Sequence, residues 1–232
     1  LKSVADAGFW GELLGFALAI ALSPLHIGVL LLLLVGGNPL RRGGWFVASW
    51  VLVSALEVLL LLSVGHGLLL TMEKGSSHRT GLDLLAAGGL LALGLNELVV
   101  RREEGDESAS WNRRLDRFGA MPLPLLLGLS ALIQVASPDD IFLYAKATGS
   151  LLAENLKPSS ELLVGALFTL ATALLLLLPL LAMLLMGQQR LLPALQQAKG
   201  WLTRNGDLLV GGISLALAAY LGWQGIEGLR GL

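Results

Sequence analysis

The chain has 232 residues, of which 55% are hydrophobic and 14% charged. Soluble domains carry roughly 25% charged residues, so an ordinary water-soluble plan is excluded. A net charge of −1 leaves no global field for nucleic acid, and the absence of cysteine removes disulfides, thiolate metal sites and thiol redox chemistry.

A bilayer core of about 30 Å needs about 20 helical residues. The first stretch that qualifies is 9–35, which is longer than a straight span and holds Ser23-Pro24 in its interior. Proline removes a backbone donor and pushes the residue before it out of the helical region. The stretch therefore reads as two half-helices meeting near the midplane. The second and third stretches are 44–70 and 81–100. A charged segment, 101–118, follows and carries Arg101, Arg102, Glu103, Glu104, Arg113 and Arg114 among others. The fourth stretch, 119–151, is again too long and is interrupted by Ser137-Pro138. The fifth and sixth are 162–186 and 208–226. Between them Leu191, Leu195 and Leu202 form an apolar stripe beside Gln188, Gln196 and Lys199, which predicts a short helix lying in the membrane interface. Glycines such as Gly88, Gly89, Gly94, Gly211, Gly212 and Gly222 predict close helix packing.

These elements predict an all-α, polytopic membrane protein of about six transmembrane helices. Residues 1–100 form one three-helix repeat, 101–118 a charged cytoplasmic linker, and 119–232 a second three-helix repeat. An odd number of spans per half inverts one half relative to the other, as in many secondary transporters. Ala21-Leu22-Ser23-Pro24-Leu25-His26-Ile27 lines up with Val135-Ala136-Ser137-Pro138-Asp139-Asp140-Ile141, so helices 1 and 4 are the broken pair. Lys and Arg favour cytoplasmic loops. Arg41, Arg42, the basic residues of 101–118, Arg190, Lys199 and Arg204 outweigh Lys2, Lys74, Arg79, Lys157 and Arg230. Loops one, three and five are expected in the cytoplasm and both termini outside the cell membrane.

Ionisable side chains inside a membrane are costly and stand as functional candidates by default. The candidates are His26, Glu57, Asp139, Asp140 and Lys146. Asp139 and Asp140 follow the second break. They can bind a cation or an amine, share a proton, or simply cap the half-helix, since Ser137 suits the N-cap and Pro138 the first helical position. His26 holds the repeat position equivalent to Asp140 and suits a proton carrier or a polar contact. The alternative is a buried histidine bonded to a carbonyl freed by Pro24. Glu57 has no arginine or lysine within a helical turn, so it is protonated or paired with a group on another helix such as Lys146 or His26. Lys146 can pair with a carboxylate, contact an anionic group, or snorkel to the interface. No nucleotide-binding loop, metalloprotease motif or nucleophile elbow is present. The expectation is therefore no enzyme, no resident metal and no cofactor.

The stretch around Ser23-Pro24-Leu25-His26, followed by Asn38-Pro39-Leu40-Arg41-Arg42-Gly43-Gly44-Trp45-Phe46, resembles the lysine-exporter (LysE) superfamily. Within it the chain is similar to the GAP family of peptidoglycolipid- or sulfolipid-addressing proteins. The second motif, Ser137-Pro138-Asp139-Asp140-Ile141-Phe142-Leu143-Tyr144-Ala145-Lys146, carries Asp139-Asp140 where an Asn-Lys type would stand. The resemblance implies six helices as two inverted triplets and export or lipid handling as the function. The expected activity is proton-coupled secondary transport of an amphipathic or lipid-linked metabolite or amino acid, with its site between the two breaks. A divalent-cation transporter and a non-transporting scaffold subunit are the alternatives. Expected partners are membrane lipids, the small-molecule, lipid or ion substrate and further copies of the chain, with no nucleic acid.

Overall fold

The computed structural model describes residues 7–68, 76–103 and 121–230. Among these, every regular element is an α-helix. In chain order they are α1 (Ala7–Ala21), α2 (Pro24–Val35), α3 (Pro39–Gly67), α4 (Ser77–Glu103), α5 (Leu123–Ala136), α6 (Pro138–Ala153), α7 (Pro158–Thr172), α8 (Leu174–Met186) and α9 (Gln188–Arg230).

Proline punctuates this order. Pro24, Pro39, Pro138 and Pro158 each sit in the first turn of their helix, where the missing N–H has no intrahelical acceptor to lose. Both expected breaks occur, and with nearly the same backbone. Ser23 has φ −56° and ψ 111°, and Ser137 has φ −77° and ψ 107°. Extended residues before proline are what its ring sterics demand. Across the first break α1 and α2 bend by 52°.

A third break was not foreseen. The stretch expected as one span, 162–186, is split into α7 and α8, which bend by 63° about Ala173. Thr169 Oγ1 donates to the Gly165 carbonyl at 3.0 Å and Thr172 Oγ1 to the Thr169 carbonyl at 2.7 Å. Hydroxyls that occupy helix carbonyls compete with the backbone ladder and bend helices.

α3 and the 204–230 part of α9 are long and apolar enough to cross a membrane. The bent pairs α1–α2 and α7–α8 bring the number to four if each is one span. Leu52, Leu60, Leu85, Leu163 and Leu185 stand exposed on the outside of the bundle, a surface suited to lipid and not to water. The protein is thus a membrane protein. The expected spans 81–100 and 119–151 correspond to α4 and to α5 with α6. These do not meet the same test of length and apolarity among the described residues.

α2 is the innermost element: Val29 to Leu34 are all buried. It packs on α3, α8 and α9, so a helix apolar all round has protein on every side. α4 and α9 form the most extensive contact and run antiparallel. A Cβ on Gly94 would lie 3.1 Å from the Gly211 carbonyl oxygen and 2.9 Å from Leu215 Cγ. A Cβ on Gly222 would lie 3.7 Å from that of Ala87, and one on Gly225 would reach 2.6 Å from Leu84 Cδ2. Glycine is what lets the two backbones come this close.

Two sequence expectations need correcting. Residues 188–203 are not a separate interfacial helix but the first part of α9, continuous with its membrane part. Leu195 and Leu202 are buried, so the stripe faces protein. The charged linker expected over 101–118 also starts late: α4 extends to Glu103, and 104–120 lie outside the described residues.

Candidate functional site

α3 carries Trp50, Ser54 and Glu57 at helical spacing on its inner face, between the two Ser-Pro breaks. On the side of the second break, Gln134 from the last turn of α5 donates through Nε2 to Ser54 Oγ at 3.1 Å and to Tyr144 Oη at 3.3 Å. Gln134, Ser54 and Tyr144 are fully buried. Glu57 stands in side-chain hydrogen-bonding reach of Gln134, and Thr172 in reach of the Tyr144 hydroxyl. Thr172 ends α7 at the unforeseen break, so that break adjoins the same cluster. Asp140, one turn before Tyr144 on α6, is buried and acts electrostatically on it together with Glu57. The Tyr144 ring packs edge-on against Phe168, with centroids 5.8 Å apart.

On the side of the first break, His26 is buried in the first turn of α2. Its Nδ1 and Ser23 Oγ are hydrogen-bonded at 2.9 Å, and its ring meets Trp50 edge-on with centroids 5.9 Å apart. α3 therefore links both breaks: Trp50 touches His26, and Ser54 and Glu57 approach the Gln134–Tyr144–Asp140 group. His26 thus lies against Ser23 and Trp50, while Glu57 and Asp140 lie around Gln134 and Tyr144. The side chains of Pro24, Pro138 and Asp139 lie outside the described residues.

Several buried polar atoms in this region have no hydrogen-bond partner among the described residues. They are His26 Nε2, Trp50 Nε1, Glu57 Oε2 and Gln134 Oε1. The large majority of buried side-chain polar atoms in proteins are bonded, so four such atoms from α2, α3 and α5 in one region mark a place with spare donors and acceptors. Trp50 Nε1 can only donate and Glu57 and Gln134 oxygens can accept. Among the described residues no three His, Asp or Glu side chains gather as a metal-binding set.

Lys146 does not pair with Glu57 or snorkel outward. It is buried on α6 and forms an ion pair with Asp83 of α4, also buried. One turn before Asp83, Arg79 Nη2 lies 3.0 Å from Glu12 Oε1 and 3.2 Å from Oε2, joining α4 to α1. Tyr220 of α9 lies in the field of Glu12, Arg79 and Asp83. Arg79, expected as a loop charge, is buried and paired with Glu12. Asp83 and Glu12 were missed although each falls inside an expected span, where the rule that singled out Glu57 applies equally. Ser54 and Gln134 carry no charge, and nothing local in the sequence distinguishes them from other polar helix residues.

A family model described as Sap, sulfolipid-1-addressing protein, matches residues 13–227. No curated protein and no solved structure matches the chain.

Proposed function

The chain belongs to the sulfolipid-1-addressing protein family, and on that premise we propose that it is a proton-coupled secondary exporter of the cell membrane for an amphipathic or lipid-linked substrate. The observation that carries the proposal is the set of buried polar atoms without hydrogen-bond partners among the described residues, on His26 of α2, Trp50 and Glu57 of α3 and Gln134 of α5, beside the two helix breaks. In transporters with broken helices, substrate sites form where such half-helix ends meet near the midplane.

In this proposal the bundle has six spans in two inverted halves, α1–α4 and α5–α9. Reciprocal packing supports it. α6 packs on α4 as α2 packs on α9, α5 packs on α3 as α1 packs on α7, and α4 and α9 pack on each other. These contacts exchange with one another when the halves are exchanged, whereas the packing of α1 on α6 has no comparable counterpart between α5 and α2. The termini lie outside and the loops after α2, α4 and α8 in the cytoplasm, as the basic residues favour.

The family description names a sulfolipid, and α3 offers the two surfaces an amphiphile needs. Its inner face bears Trp50, Ser54 and Glu57. Beside it, Val47, Val51 and Ala55 form with Leu177, Leu180 and Leu184 of α8 an open apolar groove of about 720 Å³. The polar head would satisfy the spare groups at the breaks while a hydrocarbon chain follows the groove. Glu57 and Asp140 are the proton-carrying groups, and the protein acts as a carrier and not as an enzyme.

The test is flux of a fluorescent anionic glycolipid in proteoliposomes under an imposed pH gradient. Flux should depend on the gradient and should lose that dependence in an Asp140→Asn, Glu57→Gln double variant. Unchanged gradient-driven flux in that variant would end the proton-coupling claim.

A further inference from the structure

Four buried charges have no part in the cluster described above. Glu12 on α1, Arg79 and Asp83 on α4 and Lys146 on α6 form two ion pairs one above the other. Lys146 lies six residues beyond Asp140 toward the end of α6, about 9 Å along the helix axis. Arg79 is in the first turn of α4 and Glu12 in the second turn of α1. The pairs thus stand between the polar cluster and the end of the bundle where α1 and α4 begin and α6 ends. Lys146–Asp83 also bridges the two halves, since α6 belongs to the second and α4 to the first, whereas Arg79–Glu12 joins α4 to α1 within the first. Tyr220 of α9 also lies in their field.

Cohesion alone does not call for such an arrangement. Removing ions from water costs about as much as their mutual attraction returns, and apolar residues of equal volume generally hold a core as well or better. What ion pairs permit is exchange. When the helices part, water enters and hydrates the four charges, so open and closed states stay close in free energy. An apolar plug has no such compensation on contact with water. Behind the pairs α9 packs closely on α4, with Gly225 against Leu84 and Asp83 and Gly228 against Thr80.

We propose that Lys146–Asp83 and Arg79–Glu12 are a two-rung latch that holds this end of the bundle closed over the polar cluster, and that both rungs break when it opens. This rests on the transport function proposed above and names how access to that site is controlled.

The absence of cysteine makes the latch directly measurable. Ser150, buried one turn beyond Lys146, becomes the reporter in a Ser150→Cys chain reconstituted in liposomes. A membrane-impermeant thiol reagent is applied from the face where α1 begins. Labelling should be slow in the parent and faster by about tenfold in Asp83→Asn with Glu12→Gln. The exchanged pair, Asp83→Lys with Lys146→Asp, should return it to within about threefold of the parent. Equal labelling in parent and neutral variant overturns the latch. So does an exchanged pair that labels as fast as the neutral one. If the neutral variant does not fold, the exchanged pair decides alone: folded and slow supports the latch, misfolded or fast overturns it. Labelling needs no flux, so its failure leaves the transport function to be judged by the gradient assay.

Discussion

Replacing Lys146 by methionine keeps most of the side chain's length and removes its charge. Asp83 would then hold a carboxylate at 3% exposure with its nearest cation gone. Stripping one partner from a buried pair costs about 3–5 kcal/mol. Arg79, one turn away on α4, still acts on Asp83, which argues for the lower end, about 3 kcal/mol. At 1.4 kcal/mol per tenfold, the folded-to-unfolded ratio drops by about two orders of magnitude. For a chain of this size the melting temperature should fall by about 6–12 °C. Adding Asp83→Leu removes the stranded carboxylate as well, and the double variant should recover to within about 1 kcal/mol of the parent or exceed it. The assay is thermal unfolding in detergent followed by tryptophan fluorescence, run as a double-mutant cycle. Additive losses, with the double variant worse than either single, would refute the buried pairing. A Lys146→Met variant that melts with the parent would do so too.

Three further outcomes are expected. Gly94→Ala drives a methyl against the Gly211 carbonyl, a backbone atom that cannot rotate away; the α4–α9 contact should loosen at a cost of about 1–3 kcal/mol, read as a lower melting temperature. Gln134→Leu removes the donor shared by Ser54 and Tyr144, costing about 1–3 kcal/mol and abolishing flux, whereas Gln134→Glu should retain more of the fold than of the flux. His26→Phe keeps the ring against Trp50 and should hold more stability than His26→Ala by about 1 kcal/mol; equal melting of the two would show that the ring contact contributes nothing.

How much of this was legible beforehand follows from the range of each effect. The breaks at Ser23-Pro24 and Ser137-Pro138 were readable because proline acts on its own residue and its predecessor. Burial of His26 and Asp140 followed from their place in apolar runs, whereas for Lys146 the sequence left snorkelling to the interface open. Their partners did not follow: Lys146 meets Asp83 across 63 positions of chain, and no periodicity within one helix encodes that. The bend at Ala173 escaped notice because threonine hydroxyls bend a helix only when they turn back onto its carbonyls. The stripe of Leu191, Leu195 and Leu202 was read correctly as amphipathic and wrongly as facing lipid. A helix face that meets a neighbouring helix and one that meets acyl chains have the same composition.

α9 continues as helix over 43 residues, about 65 Å and roughly twice the hydrocarbon thickness. It touches α4, α2 and α8 along its course. In the transport cycle proposed above, this helix would give α4 a second mechanical connection to the enclosed half-helix α2, and so to His26, separate from the one through α3.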